Sequence, residues 1–532
     1  MPTRQPQRFA PYRPLPRLLL SIGLIVLLLA LVAGCATGGP ERAATEERGF
    51  GQVVLYVSVP AASEAEVAFQ VTAVDAKPAE GEWRRLTAEP FRLDSEHMRG
   101  QQVLLAERTL PAGQYQALRV YLAEGSLKRK GKVATLANPE GGFVDYPYSF
   151  RVRPGQATTL LISWYPDDSV AEGYLLRPAF SALSRGGAAE SLQVYVTNED
   201  SNSVSVIDRQ NGDVVKTIQV GQAPRGIAFG RFEARTKLFV ANSGDNSLSV
   251  IDPVANEVEQ VIPLRFGEKP EDVAVFANDV RGGAVFVANY GSQNVSVVDP
   301  ISFRETDRVQ VGRGPCALAV DPPLDSVAAA RGLSFADLNL WQAYRQTFFN
   351  VYVANRLSNS VTVIVCRVSD GLAERTSELK VEFSPTGLAV DPARGKVYVA
   401  NAGSNNLSVI DIIQFIRGRT TDAVSTISNI GVNAVAVAPD PFFERLYVLR
   451  SQPPEVDFIQ TAPTMLRAQT TPVLGVVKVG LGPNRLAMDP EGRKLYVTCQ
   501  GDDSVQVIDK TSRRVETVIK VGRRPYAVTI IP

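Results

Sequence analysis

Tyr195-Val-Thr-Asn198 is the first copy of a phrase that fills the C-terminal two thirds of this 532-residue chain. It returns as Phe239-Val-Ala-Asn242, Phe286-Val-Ala-Asn289, Tyr352-Val-Ala-Asn355 and Tyr398-Val-Ala-Asn401. Two altered copies follow, Tyr447-Val-Leu-Arg450 and Tyr496-Val-Thr-Cys499. Their aromatic residues are 44, 47, 66, 46, 49 and 49 residues apart. A polar turn follows each good copy, then a second apolar run, such as SVSVID ending at Asp208 or SVQVID ending at Asp509. A third run leads into Val-Gly, as at Gly221 and Gly522, and a proline opens a fourth, as at Pro224, Pro315 and Pro525. β-Branched and aromatic content, alternation and Gly/Asn/Pro punctuation predict four short strands per repeat. Four strands in 44–49 residues is the size of a β-propeller blade, and seven copies predict seven blades.

The recurring phrase closely resembles the YVTN family of β-propellers, and the resemblance covers residues 192–532. The expected fold is all-β, a seven-bladed propeller preceded by a β-sandwich. Within a blade, A is the proline-led strand, B the aromatic phrase, C the SVSVID strand and D the strand into Val-Gly. The chain enters the array at a B strand and leaves it at an A strand, Pro525 to Pro532. Pairing these two would close the ring and remove its sheet edges.

Antiparallel order places B–C turns and D–A links on one face. Eight cations fall there: Arg225, Lys269, Arg313, Arg356, Arg450, Arg485, Arg523 and Arg524. They are candidates for an electropositive channel mouth that recognises a small anion or a partner. Glu199, Asp200, Asp245, Glu268, Asp272 and Asp502 share these loops, so a solvated rim is the alternative. The Asn-x-x-x-Asn turns read as turn builders that tolerate left-handed backbone. The other face carries the insertion 321–349, where Ser334-Phe-Ala-Asp337 resembles a capping box before a short amphipathic helix. The long C–D connections 411–421 and 460–472 share it, and the N-terminal domain is expected to hang on this elaborated side.

At the other end of the chain, Arg4, Arg8, Arg13 and Arg17 precede a fifteen-residue apolar run from Leu18 to Val32. That length suits a signal-peptide core and falls short of a bilayer span. Leu31-Val32-Ala33-Gly34-Cys35 resembles a bacterial lipobox, which implies cleavage before Cys35 and its diacylation. An ordinary signal peptide and a simple N-terminal anchor are the alternatives. Two acyl chains anchor stably. Ala36, where an aspartate would signal inner-membrane retention in such lipoproteins, directs the expectation to the outer membrane. The predicted organisation is a leader 1–34, a tether 35–49, a β-sandwich 50–185 and a propeller 186–532.

Residues 50–185 alternate in short runs, from Val53-Val-Leu-Tyr-Val57 to Thr158-Thr-Leu-Leu-Ile-Ser-Trp164, which predicts an antiparallel sandwich. The phrase Pro111-Ala-Gly-Gln-Tyr115 before an alternating strand resembles prealbumin-type sandwiches and an uncharacterised sandwich family of bacterial lipoproteins.

Composition limits the chemistry. Lys plus Arg number 56 and Asp plus Glu 55, a balance unlike that of a nucleic-acid binder. One histidine, His97, excludes three-histidine zinc sites and HExxH helices within the chain. Four cysteines without a CxxC exclude zinc ribbons and CxxCH haem attachment; Cys316, Cys366 and Cys499 read as buried free thiols. Haem-binding relatives of the resembled propeller use histidine ligands and lactonase-like propellers use acidic and histidine residues; 186–532 contains no histidine. No catalytic residue, metal or cofactor is predicted beyond the lipid on Cys35. The expected function is a lipid-anchored envelope protein that presents its propeller to a protein, a polysaccharide or a small anion. The alternative is a periplasmic enzyme, or a cofactor carrier or chaperone using the channel.

Overall fold

In a computed structural model the chain is all-β, with 61% strand and 8% helix. The structure describes residues 49–182, 192–232, 235–278, 282–461 and 473–531. The expected leader, Cys35, nearly all of the tether and nearly all of the 460–472 connection lie outside these residues, as do residues 183–191, where the two predicted domains meet.

Seven four-stranded antiparallel sheets follow one another between Gln193 and Ile530. Six are meanders in A–B–C–D order, the first of them Pro224–Phe232, Arg235–Asn242, Ser247–Asp252 and Glu257–Pro263. The remaining sheet joins the two ends of the repeat array. Gln193–Asn198, Ser203–Asp208 and Asp213–Gln219 take Pro525–Ile530 as their A strand, in the register Val194 with Ile530 and Val196 with Val528. Neighbouring A strands touch in a closed cycle. The phrase aromatics Tyr195, Phe239, Phe286, Tyr352 and Tyr447 are almost wholly buried. Tyr195 packs on Ile227, Leu238 and Val240 of the following sheet, so each repeat covers its neighbour's apolar face. A side chain of this size stabilises by about 1.5–3 kcal/mol when fully buried.

Two larger sheets and a two-stranded ribbon, Val170–Ala171 with Leu175–Leu176, form the N-terminal domain. One holds Phe50–Ser58, Gln102–Pro111, Ala157–Tyr165 and Ala179–Ala182. The other is six-stranded and centred on Glu66–Pro78 and Gly113–Arg129. They share one core, in which Phe69 meets Trp164 edge-on at 5.0 Å. The sheets are not wholly antiparallel as expected: Phe50–Ser58 runs parallel to Ala157–Tyr165. A parallel pair needs a long crossover, and the second sheet supplies it. His97 sits exposed in a four-residue helix, α1 (Ser95–Met98), with Nδ1 3.1 Å from Asp94.

The placement of this domain corrects the sequence reading. It does not sit over the elaborated face; it packs on the outer edge of the ring, at the seam between the closing sheet and the last one. Val54, Tyr56 and Leu161 share a core with Ile207, Val214, Ile519 and Val521. Gln102 brackets Val214, accepting from its N–H (2.7 Å) and donating to its carbonyl (3.3 Å). Thr159 Oγ1 accepts from the Thr217 N–H at 2.8 Å. These bonds cover outer-strand peptide groups that would otherwise be a free edge. The run Val53–Val57 is buried on both faces, one side in its own core and one against the ring, so it reads as continuous rather than alternating.

The insertion holds α2 (Leu324–Ala328) and α3 (Phe335–Thr347). Ser334 caps α3, accepting from the Asp337 N–H at 3.2 Å and donating to its carboxylate at 2.6 Å. Trp341 is fully buried against Ile412, Ile413 and Phe415 of α4 (Ile412–Ile416), which occupies the fifth C–D connection. The insertion thus braces the fourth and fifth sheets and does not meet the N-terminal domain through this core.

Candidate functional site

The two asparagines of each Asn-x-x-x-Asn turn do different work. The second one builds the turn. Asn202, Asn246 and Asn359 have φ of 52°, 54° and 53°, and their Oδ1 atoms accept from Ala223, Lys269 and Ser384 in the D–A links. The first is a fully buried rung. Asn198 Nδ2 donates to Ser203 (3.2 Å) and Ser205 (2.9 Å), and Asn242, Asn289, Asn355 and Asn401 repeat the pattern on residues five and seven further on. The glycine of Val-Gly lies against this rung: a Cβ on Gly522 would come 2.8 Å from Asn198 Cγ, and one on Gly221 2.5 Å from Asn242 Nδ2. In the fifth sheet Glu382 stands in that place. The aspartates that end strand C cap the next turn; Asp208 accepts from the Gln210 N–H and Asp252 from the Val254 N–H, both at 2.8 Å.

The links bond to the B–C turns, as in Ser243 N–H to Ala223 O (2.9 Å) and Gly403 N–H to Phe383 O (3.0 Å), so both belong to one face. Inside it the A strands surround a cavity of about 190 Å³. The residue two after the link proline, or after Ala434 in the sixth sheet, is small in five sheets: Gly226, Ala317, Gly387, Ala436 and Ala527. The other two are Asp272 and Arg485, which both line the cavity. Asp272 accepts from the Val273 N–H (3.0 Å) and the Leu318 N–H (2.9 Å). Arg485 crosses to the fourth sheet, where Nη2 donates to Cys316 O at 3.2 Å. Enclosure in the channel raises the Asp272 carboxyl above the ordinary carboxylate range, and the nearby Arg485 charge opposes that rise.

Above this layer lies a polar network. Arg225 pairs with Glu199 (2.8 Å) and with Glu271. The Tyr526 hydroxyl donates to Glu271 at 2.9 Å, and both Arg225 and Arg485 stand over its ring, at 5.2 and 5.3 Å. Cys316 is in the channel wall, its thiol pushed up to about 12 by burial; Cys366 and Cys499 are also buried and free, as expected.

Of the eight candidate cations, the structure gathers Arg225, Arg485 and Arg524 around this network. Arg524 reaches Glu199 and Asp200 at 3.3 Å each. Arg523 turns outward to Glu107 of the N-terminal domain at 3.7 Å. Arg450 is held by Glu455 and Asp457 inside the sixth sheet. Lys269, Arg313 and Arg356 are exposed on the face, where Arg313 donates to Leu357 O and Arg356 to Ser384 Oγ. The eight therefore do not form one patch.

Charge reasoning overlooked a second feature of the same face. At the second link position, four sheets carry Gln222, Glu268, Arg313 and Arg523, whereas the fifth to seventh carry Phe383, Val432 and Leu481. These are 62%, 49% and 62% exposed, and Leu357 of the fourth sheet continues the arc at 54%. Aligning the links would have revealed it. Among the described residues no three His, Cys, Asp or Glu side chains gather as a metal site.

A family profile described as a domain of unknown function (DUF4382) matches residues 50–178, most of the two-sheet domain. No curated protein matches the chain. Among solved structures, the chain is similar to a functionally unknown protein from Desulfotomaculum acetoxidans DSM 771, at 12% identity and a TM-score of 0.50, over 64% of this chain and 99% of that one. Hydrazine synthase of Kuenenia stuttgartiensis is similar at 15% identity and a TM-score of 0.47, over 60% and 92%. A protein from Lactobacillus plantarum is similar at 17% identity and 0.47, over 64% and 99%. At such identities the likeness is one of fold. The closed cycle of four-stranded sheets gives the chain its β-propeller character.

Proposed function

We propose that the chain is a lipid-anchored protein of the bacterial cell envelope, held at the outer membrane through Cys35, that binds partners rather than catalysing a reaction. In this reading residues 1–34 are a lipoprotein leader and 35–49 a tether. Residues 50–185 are a prealbumin-like β-sandwich, and 186–532 a seven-bladed propeller of the YVTN kind. The observation that carries the binding role is the apolar set Leu357, Phe383, Val432 and Leu481, contributed to one face by four successive sheets and each about half exposed or more. Singly exposed apolar residues need no explanation, but a contiguous patch of them marks an interaction surface. The N-terminal domain packs on the ring's outer edge and meets this face at Ser201 and Arg523 of the closing sheet, while Arg313 and Arg356 share the face with the arc.

The test has two arms. Palmitate labelling and membrane fractionation of the wild type and Cys35→Ser examine the anchor: label and membrane association are expected in the first and lost in the second. Cross-linking in intact cells examines the face: a discrete adduct is expected with the wild type and lost in Phe383→Asp/Leu481→Asp. A wild type without label would overturn the anchor, and an adduct that survives the double variant would overturn the face.

A further inference from the structure

Repeats make departures informative, because each A strand is a control for the other six. At the position two after the link proline, or its equivalent Ala434, five residues are Gly or Ala, and the two exceptions bear opposite charges. Asp272 and Arg485 lie within electrostatic reach of each other. Yet among the described residues no ion pair closes between them. Arg485 spends two donors on main-chain carbonyls, Cys316 O at 3.2 Å and Asn484 O at 3.4 Å. A guanidinium has five N–H donors, so three are uncommitted. Each Asp272 oxygen accepts one main-chain N–H, and a carboxylate oxygen can accept two bonds. The carboxylate and the guanidinium thus face one cavity with bonding capacity to spare, and both remain partly exposed.

The surroundings define what would fit. Gly226 leaves room for Asp272, since a Cβ there would lie 2.7 Å from Asp272 Oδ1. The next position in the A strands, Ile227, Val273, Leu318, Leu388, Val437 and Leu486 among others, is apolar throughout, but these side chains pack into the cores between neighbouring sheets and leave the cavity bounded mainly by polar groups. A cavity of about 150 Å³ admits benzene, and this one is about 190 Å³.

We propose that the axial cavity binds a small zwitterion of the α-amino-acid class, its carboxylate on Arg485 and its ammonium on Asp272. A ligand carrying both charges completes the pair without leaving either charge unmatched, whereas a simple anion or cation would match one and crowd the other. The site is separate from the outer-face reading and does not depend on it.

Isothermal titration of the purified protein with glycine, L-alanine and L-valine tests the proposal, with acetate and methylammonium as half-molecules. Saturable binding of glycine or L-alanine is expected, with each half-molecule weaker by more than about tenfold. Asp272→Asn and Arg485→Gln are each expected to weaken the zwitterion by more than about tenfold. The half-molecule comparison uses the wild type alone, so it stands even where a variant fails to fold. Absence of binding by all three amino acids at millimolar concentration, or acetate or methylammonium binding as tightly as alanine, would overturn the site. Phe383→Asp/Leu481→Asp is expected to bind alanine as the wild type does, which keeps this outcome distinct from that of the face.

Discussion

Arg450 Nε lies 2.8 Å from Asp457 Oδ2, at the rung where five other sheets pair a buried asparagine with a hydroxyl. Glu455 is the third member and stands where Ser203 stands in the closing sheet. Three substitutions have therefore turned a neutral rung into an ionic one. They belong together, because any one of them in isolation would bury an unpaired charge.

Arg450→Ala is expected to cost about 3–5 kcal/mol, since it strands two buried carboxylates. The triple change Arg450→Asn/Glu455→Ser/Asp457→Ser restores the common rung and should recover most of that loss. Urea midpoints of the three proteins check it; a triple variant no more stable than Arg450→Ala would show that the sixth sheet cannot accept the neutral rung.

Gly522→Ala should destabilise by about 1–3 kcal/mol, an overpacking cost. Its Cβ would come within 2.9 Å of three Asn198 side-chain atoms, at the seam where the last A strand joins the first sheet. Thermal unfolding of the variant measures the loss. An unchanged midpoint would mean that the link shifts freely away from the rung.

Gln102→Ala removes both side-chain bonds to Val214 and leaves that buried peptide group unpaired. The expected cost is about 1–3 kcal/mol, confined to the docking of the two-sheet domain on the ring. Faster tryptic release of that domain, with the ring still resistant, is the expected pattern. Uniform loss of resistance would instead make the domain integral to ring closure.

Asp321 is buried among Arg345, Tyr344, Tyr352 and Asn350, and burial, opposed by Arg345, pushes its carboxyl up to about 6. The folded value exceeds the unfolded one of about 3.9. Its contribution is therefore fully present below about pH 4 and lost as pH rises through about 6. Relative to Asp321→Asn, the wild type is expected to gain up to about 3 kcal/mol between pH 7 and pH 4. Denaturant midpoints of both proteins across this window check the slope; a constant difference would show that Arg345 keeps the carboxylate at its ordinary value.

Much of this architecture is legible in the amino-acid order. A phrase repeated in register states the strand, its burial and its partner, because every sheet must cover the next with the same residues. The strand count, the closing role of Pro525–Ile530, the cap at Ser334 and the buried thiols all follow from local pattern. The apolar link residues and the Asp272/Arg485 departures were also written there, visible on aligning repeats position by position.

Three-dimensional packing decided the rest. Nothing local distinguishes a strand buried on both faces within its own domain from Val53–Val57, which gives one face to its own core and the other to the ring. Nor does composition reveal which cations are neutralised: Arg225, Arg450 and Arg523 are alike in sequence but meet Glu271, Asp457 and Glu107 respectively. Those partners lie 46, 7 and 416 residues away in sequence: a hairpin joins Arg450 to Asp457, packing of neighbouring sheets joins Arg225 to Glu271, and docking of the first domain brings Glu107 to Arg523.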